Sequence, residues 1–255
     1  MNEFDLVVGT HSIAEAIKNP KRLEKYLVVT EEGMDELRKK TGLTKSDLQK
    51  VKVEMVASHK LQEEAKIHYK KLDLEYQRVP SGCFLVASPL ELKEVSWLYA
   101  EATSREQFRI LVLDQISDVN NGAAIMRTAS FYGINAIVVP GKKSFGMTPS
   151  FFRIASGATE FIDVVPVNNL AKTISKLVEI GVDVIALSEH ASEDFAITTE
   201  HKKHCLVLGK EDTGISHAVL RVIPKRMSLK TQGAIKSLNV SVAASVAMEK
   251  CFGIS

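Results

Sequence analysis

Three stretches of the chain combine polar side chains and glycines at spacings that could do chemistry. Near the C-terminus the sequence reads Lys236-Ser237-Leu238-Asn239-Val240-Ser241-Val242-Ala243-Ala244-Ser245-Val246-Ala247. It reads as a loop turning into a closely packed helix, with Ser237 as its N-cap and Gly253 as its stop. Ala243, Ala244, Ser245 and Ala247 present almost no side chain, so another segment can approach this backbone closely. A buried small-residue helix accounts for that composition. The polar pair Ser237 and Asn239, beside the unpaired N–H groups of a helix start, suits a ligand or an anionic substrate instead. The cluster from Leu229 to Asn239, which contains Gly233 and leads into this stretch, repeats the theme of a glycine-bearing loop before a helix.

The second stretch runs from Asp114 to Ala129 and places Asn121 and Arg127 six residues apart at a loop-to-helix junction. Arg127 stands among small apolar residues, either as a snorkelling surface side chain or as a guanidinium held for phosphate. The third stretch is Gly209-Lys210-Glu211-Asp212-Thr213-Gly214-Ile215-Ser216, directly after the apolar run that ends at Leu208. Its two glycines imitate a phosphate-cradling loop, but Ile215 stands where that loop needs a lysine, which excludes an ATPase reading. A plain turn and a ligand loop both remain compatible with it.

Several elements must position these residues. From residue 109 onward the apolar runs Ile110–Leu113, Ala136–Val139, Val182–Leu187 and Cys205–Leu208 alternate with helical stretches near 123–132, 150–157 and 169–180. Runs apolar on both faces and separated by helices indicate a parallel sheet covered on two sides, with its ligand edge beyond the carboxyl ends of the strands. The front of the chain alternates similarly. An apolar run at 6–8 leads into a helix for which Ser12 and Glu15 supply a capping box, and strands at 23–29, 51–56 and 82–87 alternate with helices at 35–42 and 59–71. The expectation is an α/β protein with a small domain at 1–90, a linker at 91–108 and a larger domain at 109–255. The segment around Trp97 and Tyr99 reads equally as a free linker or as an extra helix packed on a domain.

The 255 residues are 45% apolar and carry a formal charge of +2, so a polybasic coat for nucleic acid is excluded and any such contact must be local. Cys83, Cys205 and Cys251 are odd in number and far apart, which predicts reduced thiols, no zinc site and a cytoplasmic location. The acidic start and the lack of a long apolar run predict neither a leader nor a membrane span. Lys142 and Lys143 form either part of an RNA-binding surface or a solvated turn, and His11 and His59 are candidates for stacking on bases or plain surface residues.

Taken in order, the three stretches resemble the three motifs of the SpoU/TrmH family of RNA 2′-O-ribose methyltransferases, within the SPOUT superfamily. The likeness runs through Asn121 and Arg127, then Gly209, Glu211, Gly214 and Ser216, then Ser237 to Ala243, and covers about 109–252. The two-domain layout is most similar to members that methylate a guanosine ribose in 23S rRNA. Members acting on tRNA or conferring antibiotic resistance share every motif, and a silent RNA-binding paralogue would keep the fold. The resemblance implies a parallel sheet with a C-terminal trefoil knot, a homodimer, RNA as partner and S-adenosylmethionine as cofactor. It implies cofactor contacts from Leu208, Gly209, Gly214, Leu229, Gly233 and Leu238, a site shaped by Glu211, Ser237 and Asn239, and Asn121 and Arg127 facing the RNA. Arg127 is expected to grip phosphate and stabilise developing alkoxide charge rather than act as a base, because guanidinium stays protonated. The sequence departs from the family pattern at Gly122-Ala123, Lys210, Leu229-Lys230 and Pro80-Ser81.

Overall fold

The computed structural model describes residues 3–142, 144–189, 191, 202–235 and 237–252. Expectations that fall on Lys143 and Gly253 lie outside these residues. In chain order the first elements are β1 (Asp5–Val8), α1 (Thr10–Lys18), β2 (Lys25–Val29), α2 (Glu31–Thr41), α3 (Lys45–Leu48), β3 (Lys52–Met55), α4 (Ser58–Lys71) and β4 (Cys83–Ala87). They are followed by α5 (Val95–Ser104), β5 (Phe108–Asp114), α6 (Val119–Phe131), β6 (Ala136–Pro140), α7 (Pro149–Ala155), a 3₁₀ turn at Ala158–Glu160, β7 (Asp163–Val167) and α8 (Leu170–Glu179). The last are β8 (Asp183–Leu187), β9 (Lys203–Gly209), α9 (His217–Leu220), β10 (Lys225–Met227) and α10 (Val240–Phe252).

The chain divides into two compact units, one of residues 1–91 with 147–160 and the other of 92–146 with 161–255. In the first, a four-stranded sheet has the order β1-β4-β2-β3, antiparallel except for the β2–β3 pair. The period of two along its strands sorts the core into two faces. Val7, Leu27, Val29 and Leu85 pack with Ile13, Ile17 and Leu37 of α1 and α2, while Leu6, Val8, Val28 and Phe84 pack with Leu61, Ala65 and Tyr69 of α4. Thr30 caps α2 by accepting the Gly33 N–H, and Gly42 ends it with a φ of 66°, the left-handed residue such a terminus requires.

The expected capping box at α1 is corrected. Gly9 occupies the cap, and Ser12 is instead buried inside the helix, donating its hydroxyl to the carbonyl of Phe152 on α7. Phe152 completes the core under α1, which is one reason residues 147–160 belong to this unit. Arg22 is the other. Its fully buried guanidinium donates to Asp5 at 2.8 Å, to the Ser88 carbonyl at 2.7 Å and, through Nε and Nη2, to both oxygens of Glu160 at 2.7–3.1 Å.

The second unit is built on a six-stranded sheet, entirely parallel, in the order β10-β8-β9-β5-β6-β7. Strands β5, β6 and β7 step outward in one direction. The chain then crosses back so that β9 pairs with β5 on its other side, and this reversal opens a switch point between them. Ile110, Val112, Val138, Val184 and Val207 bury one face against α5 and α8. The stretch 91–108 is therefore not a free linker. It carries α5, whose Leu98 and Ala102 are wholly buried in this core, with Trp97 packed edge-on against Phe108. Two short strands, β7 and β10, were not expected, because Pro166 interrupts the first and Lys225 and Arg226 make up most of the second.

Candidate active site

The register of the central pair decides where the polar loops begin. Asp114, the last residue of β5, lies opposite Gly209, the last residue of β9, so both loops leave the sheet side by side at the switch point. Asp114 is almost fully buried, and its carboxylate accepts the Ser216 N–H at 2.7 Å, tying the far end of the second loop to the first strand. Sequence reading gave Asp114 no role, although an acid closing an otherwise apolar buried strand was the available signal.

Loop 209–214 folds back on itself through reciprocal backbone bonds between Lys210 and Gly214, at 3.1 and 2.8 Å. A Cβ on Gly209 would lie 2.2 Å from the Gly214 carbonyl carbon and the Ile215 nitrogen, so only glycine permits this closure. The turn holds Glu211 out over the carboxyl edge. Its Oε1 accepts three hydrogen bonds, from Asn121 Nδ2 at 2.7 Å, from Asn239 Nδ2 at 2.7 Å and from the Val240 N–H at 3.5 Å. Asn239 Nδ2 also donates to Asn121 Oδ1 at 3.1 Å, which closes a ring among the three side chains.

The orientation of the amides in this ring follows from one backbone group. Asn239 Oδ1 accepts the Ser241 N–H at 2.9 Å and the Ser241 hydroxyl at 2.6 Å. An N–H can only donate, so the amide nitrogen must turn toward Glu211 and Asn121. The same bonds correct the expected start of α10. Asn239 receives the first N–H groups by side chain and carbonyl, and the helix begins at Val240 rather than at Leu238, where a Ser237 cap would start it. Ser237 is exposed and makes no hydrogen bond among the described residues.

Helix α6 starts with Asp118, whose carboxylate accepts the Asn121 N–H at 2.8 Å and so fixes the residue that reaches the ring. Gly122 is buried where a Cβ would meet the Phe145 ring at 2.5 Å, which explains a glycine at this place in the motif. Arg127 lies in the third turn, exposed and unpaired among the described residues, and takes no part in the ring. Helix α10 packs along α6, with Thr128 and Ser245 hydroxyls 3.4 Å apart, and the small residues Ala244 and Ala247 are fully buried. The close approach expected of the small-residue stretch is this contact.

Of the residues expected to hold a cofactor, Leu208 is buried at the end of β9 and Leu229 is half-buried, while Gly214, Gly233 and Leu238 are exposed. The main-chain groups of Leu229 and Leu238 make no hydrogen bond among the described residues, and the Leu238 side chain is 53% exposed. Free backbone donors and acceptors beside an apolar side chain at a sheet's carboxyl edge fit a flat heterocycle such as adenine.

Residues 109–249 match the family model of the SpoU rRNA methylase family. The chain belongs to this family. A Bacillus subtilis relative named for the TrmH family of tRNA/rRNA methyltransferases, YacO, is 30% identical over 98% of this SpoU chain and 96% of its own. The 23S rRNA (guanosine-2′-O-)-methyltransferase RlmB of Nitrosomonas europaea is 32% identical over 56% of the chain and 55% of that protein. Among solved structures, the SpoU methyltransferase AviRb from Streptomyces viridochromogenes, in complex with AdoMet, superposes with a TM-score of 0.73 at 18% identity, over 98% of this chain and 89% of that one. The AdoMet-bound rRNA methyltransferase of Sinorhizobium meliloti gives 0.71 at 18% identity, over 97% and 86%. These likenesses establish the α/β fold of the SpoU protein over nearly its whole length.

Proposed function

We propose that the protein transfers a methyl group from S-adenosylmethionine to a ribose 2′-hydroxyl of structured RNA, with 23S rRNA as the substrate. The observation that carries this reading is the Asn121–Glu211–Asn239 ring, in which one carboxylate oxygen joins the three family motifs at the switch point of a parallel sheet. The rRNA assignment is supported by the Nitrosomonas relative and the tRNA alternative by the Bacillus name, which covers both substrates.

Bound S-adenosylmethionine would supply an activated methyl carbon on a sulfonium, a leaving group that needs no protonation. The residues fit it through the main-chain groups of Leu229 and Leu238, which are free among the described residues, and the closed turn at Gly209 and Gly214, with Leu208 next to Gly209 and Gly233 in the loop between the two leucines. What remains for the protein is alignment and charge control at the ribose. The ring fixes the two loops and the start of α10, so the cofactor's contacts are held before RNA arrives. Arg127, exposed on α6 and unpaired among the described residues, grips a phosphate of the RNA and stabilises negative charge developing on the 2′-oxygen. Ser237, exposed and next to Leu238 in sequence, donates to substrate or cofactor.

The chain from β10 to α10 forms the trefoil knot of the superfamily, and the protein acts as a homodimer in the cytoplasm. An apolar strip on the second unit supports the dimer. Val242 and Val246, one turn apart on α10, are 49% and 37% exposed, and Phe131 at the end of α6 is 81% exposed. Among the described residues no helix is long and apolar enough to cross a membrane.

The test is titration calorimetry with S-adenosylmethionine, followed by incubation of the protein with radiolabelled cofactor and unmodified transcripts of 23S rRNA or tRNA. Binding, with label on rRNA that survives as a 2′-O-methylnucleoside after digestion, is expected. Label confined to tRNA would move the substrate, and no cofactor binding would overturn the enzymatic reading.

A further inference from the structure

The first unit contains a cavity of about 380 Å³ with no part in the proposed methyl transfer. It lies between the start of α2, the start of α4 and the segment 78–82, so it includes the Pro80-Ser81 pair at which the sequence departs from the family. The floor is apolar, formed by buried Leu61 and Val79. Gln62 holds the wall in place, accepting the Val79 N–H and the Tyr76 hydroxyl and donating to the Val79 carbonyl, at 2.6–3.1 Å.

The backbone is shaped to make this hollow. Ser81 and Gly82 both adopt left-handed conformations, with φ of 58° and 60°, and a Cβ on Gly33 would lie 2.3 Å from the Gly82 carbonyl oxygen. A serine held in that region costs about 1 kcal/mol, so the turn is not the conformation the chain adopts by default.

Charge at the rim narrows the occupant. Glu36 already accepts from Lys40 at 2.6 Å, whereas the Glu32 carboxylate and the Arg78 guanidinium have no partner among the described residues. Two carboxylates in the lining disfavour a phosphate on the floor, and the apolar side chains of Leu61 and Val79 disfavour a simple amine. A carboxylate accepts two hydrogens side by side, and among the four RNA bases only guanine presents two adjacent donors, N1–H and N2–H, on one edge. The volume falls in the range of roughly 300–1,000 Å³ that takes small organic ligands.

We infer that this cavity is a specificity subsite that takes an unstacked guanine of the RNA, with Glu32 accepting its N1–H and N2–H edge and Arg78 holding the adjoining phosphate. Unpaired bases splayed into such pockets are how RNA sequence is read outside a helix. The inference rests on the RNA methyltransferase reading for the source of the guanine, but not for the chemistry of the pocket.

Saturation-transfer NMR on the full chain with GMP, AMP, CMP, UMP and guanosine tests the pocket directly. GMP should bind about 10-fold more tightly than the other nucleotides, as a bidentate base contact implies. Glu32→Gln should abolish that preference, Arg78→Ala should reduce GMP to the level of guanosine, and Ser58→Trp at the rim should block all of them. Equal binding of the four nucleotides, no binding, or a guanine preference that survives Ser58→Trp overturns the site. With methylatable RNA, Glu32→Gln should raise KM about 10-fold while kcat and S-adenosylmethionine affinity hold. An unchanged KM would assign the pocket to free guanine nucleotides and overturn the RNA source. Failure of the wild-type protein to methylate any RNA, with guanine selectivity intact, would sink the enzymatic reading alone.

Discussion

At the scale of single residues, Glu211 and Asn239 do different work from Arg127. Glu211 Oε1 gathers donors from two asparagines and a helix N-terminus, so its ionised form is satisfied without a cation. Asn239→Ala removes two of the ring's bonds and the cap of α10 together. It should lower stability by about 1 kcal/mol, the usual cost of a lost cap, and weaken both cofactor binding and methyl transfer. Calorimetry and a thermal melt on the same preparation read the two effects, and a fully active variant would remove Asn239 from the site. Arg127→Ala removes no contact among the described residues, so methyl transfer should fall to background while the cofactor isotherm and the melting curve stay at wild type. A parallel loss of cofactor affinity would mean that the guanidinium serves the cofactor rather than the RNA. The cysteines illustrate the opposite case, chemistry suppressed by burial. Desolvation pushes the Cys83 thiol up to about 12 and raises Cys205 and Cys251 as well, so all three stay protonated at neutral pH. A thiol reagent should label buried Cys83 and Cys205 only after denaturant is added.

At the scale of elements, the parallel sheet was legible because apolar runs at β5, β6, β8 and β9 are bounded by turn residues. The motif residues were legible because their loops follow those runs. The ring itself was not. Asn121, Glu211 and Asn239 are scattered over more than a hundred positions, and only the β5–β9 register, with Asp114 opposite Gly209, makes them neighbours. The helix starts misled for a related reason. Ser12 and Ser237 have the composition of caps, but a buried carbonyl of α7 claims the first, and Asn239 outcompetes the second by receiving the Ser241 N–H. Gly209→Ala forces a Cβ into the backbone of Gly214 and Ile215, so the turn must open and Glu211 must leave the ring. Cofactor binding should disappear in calorimetry while circular dichroism stays near that of the wild type. Val242→Asp with Val246→Asp, on the exposed strip of α10, should convert a dimer to a monomer in sedimentation velocity, and an unchanged species would place the interface elsewhere.

At the scale of the whole molecule, sequence order and spatial order part company. Residues 147–160 come between β6 and β7 of one sheet yet fold with the other unit, carrying Phe152 into its core and Glu160 onto Arg22. Nothing in the sequence marks this, because a helix with two phenylalanines would serve either core. A fragment of residues 1–91 therefore leaves the Arg22 guanidinium with one carboxylate where the full unit has two, and breaking a buried pair costs about 3–5 kcal/mol. Such a fragment should melt well below one in which 147–160 is joined by a flexible linker, and equal midpoints would show that the segment contributes nothing.

The back-crossing of the larger sheet also bears on how the chain is made. Strand β5 can complete its central pairing only when β9 has been synthesised, nearly a hundred residues later. At about 5–20 residues per second the ribosome takes several seconds or more to deliver it. Throughout that interval the nascent protein holds three apolar strands with an unpaired inner edge, the kind of edge that recruits strands from other chains. The strand that ends in Gly209 is the one whose arrival ends that exposure, whereas the ring still waits for Asn239 further along the chain, so escape from aggregation precedes assembly of the candidate site in the life of the chain.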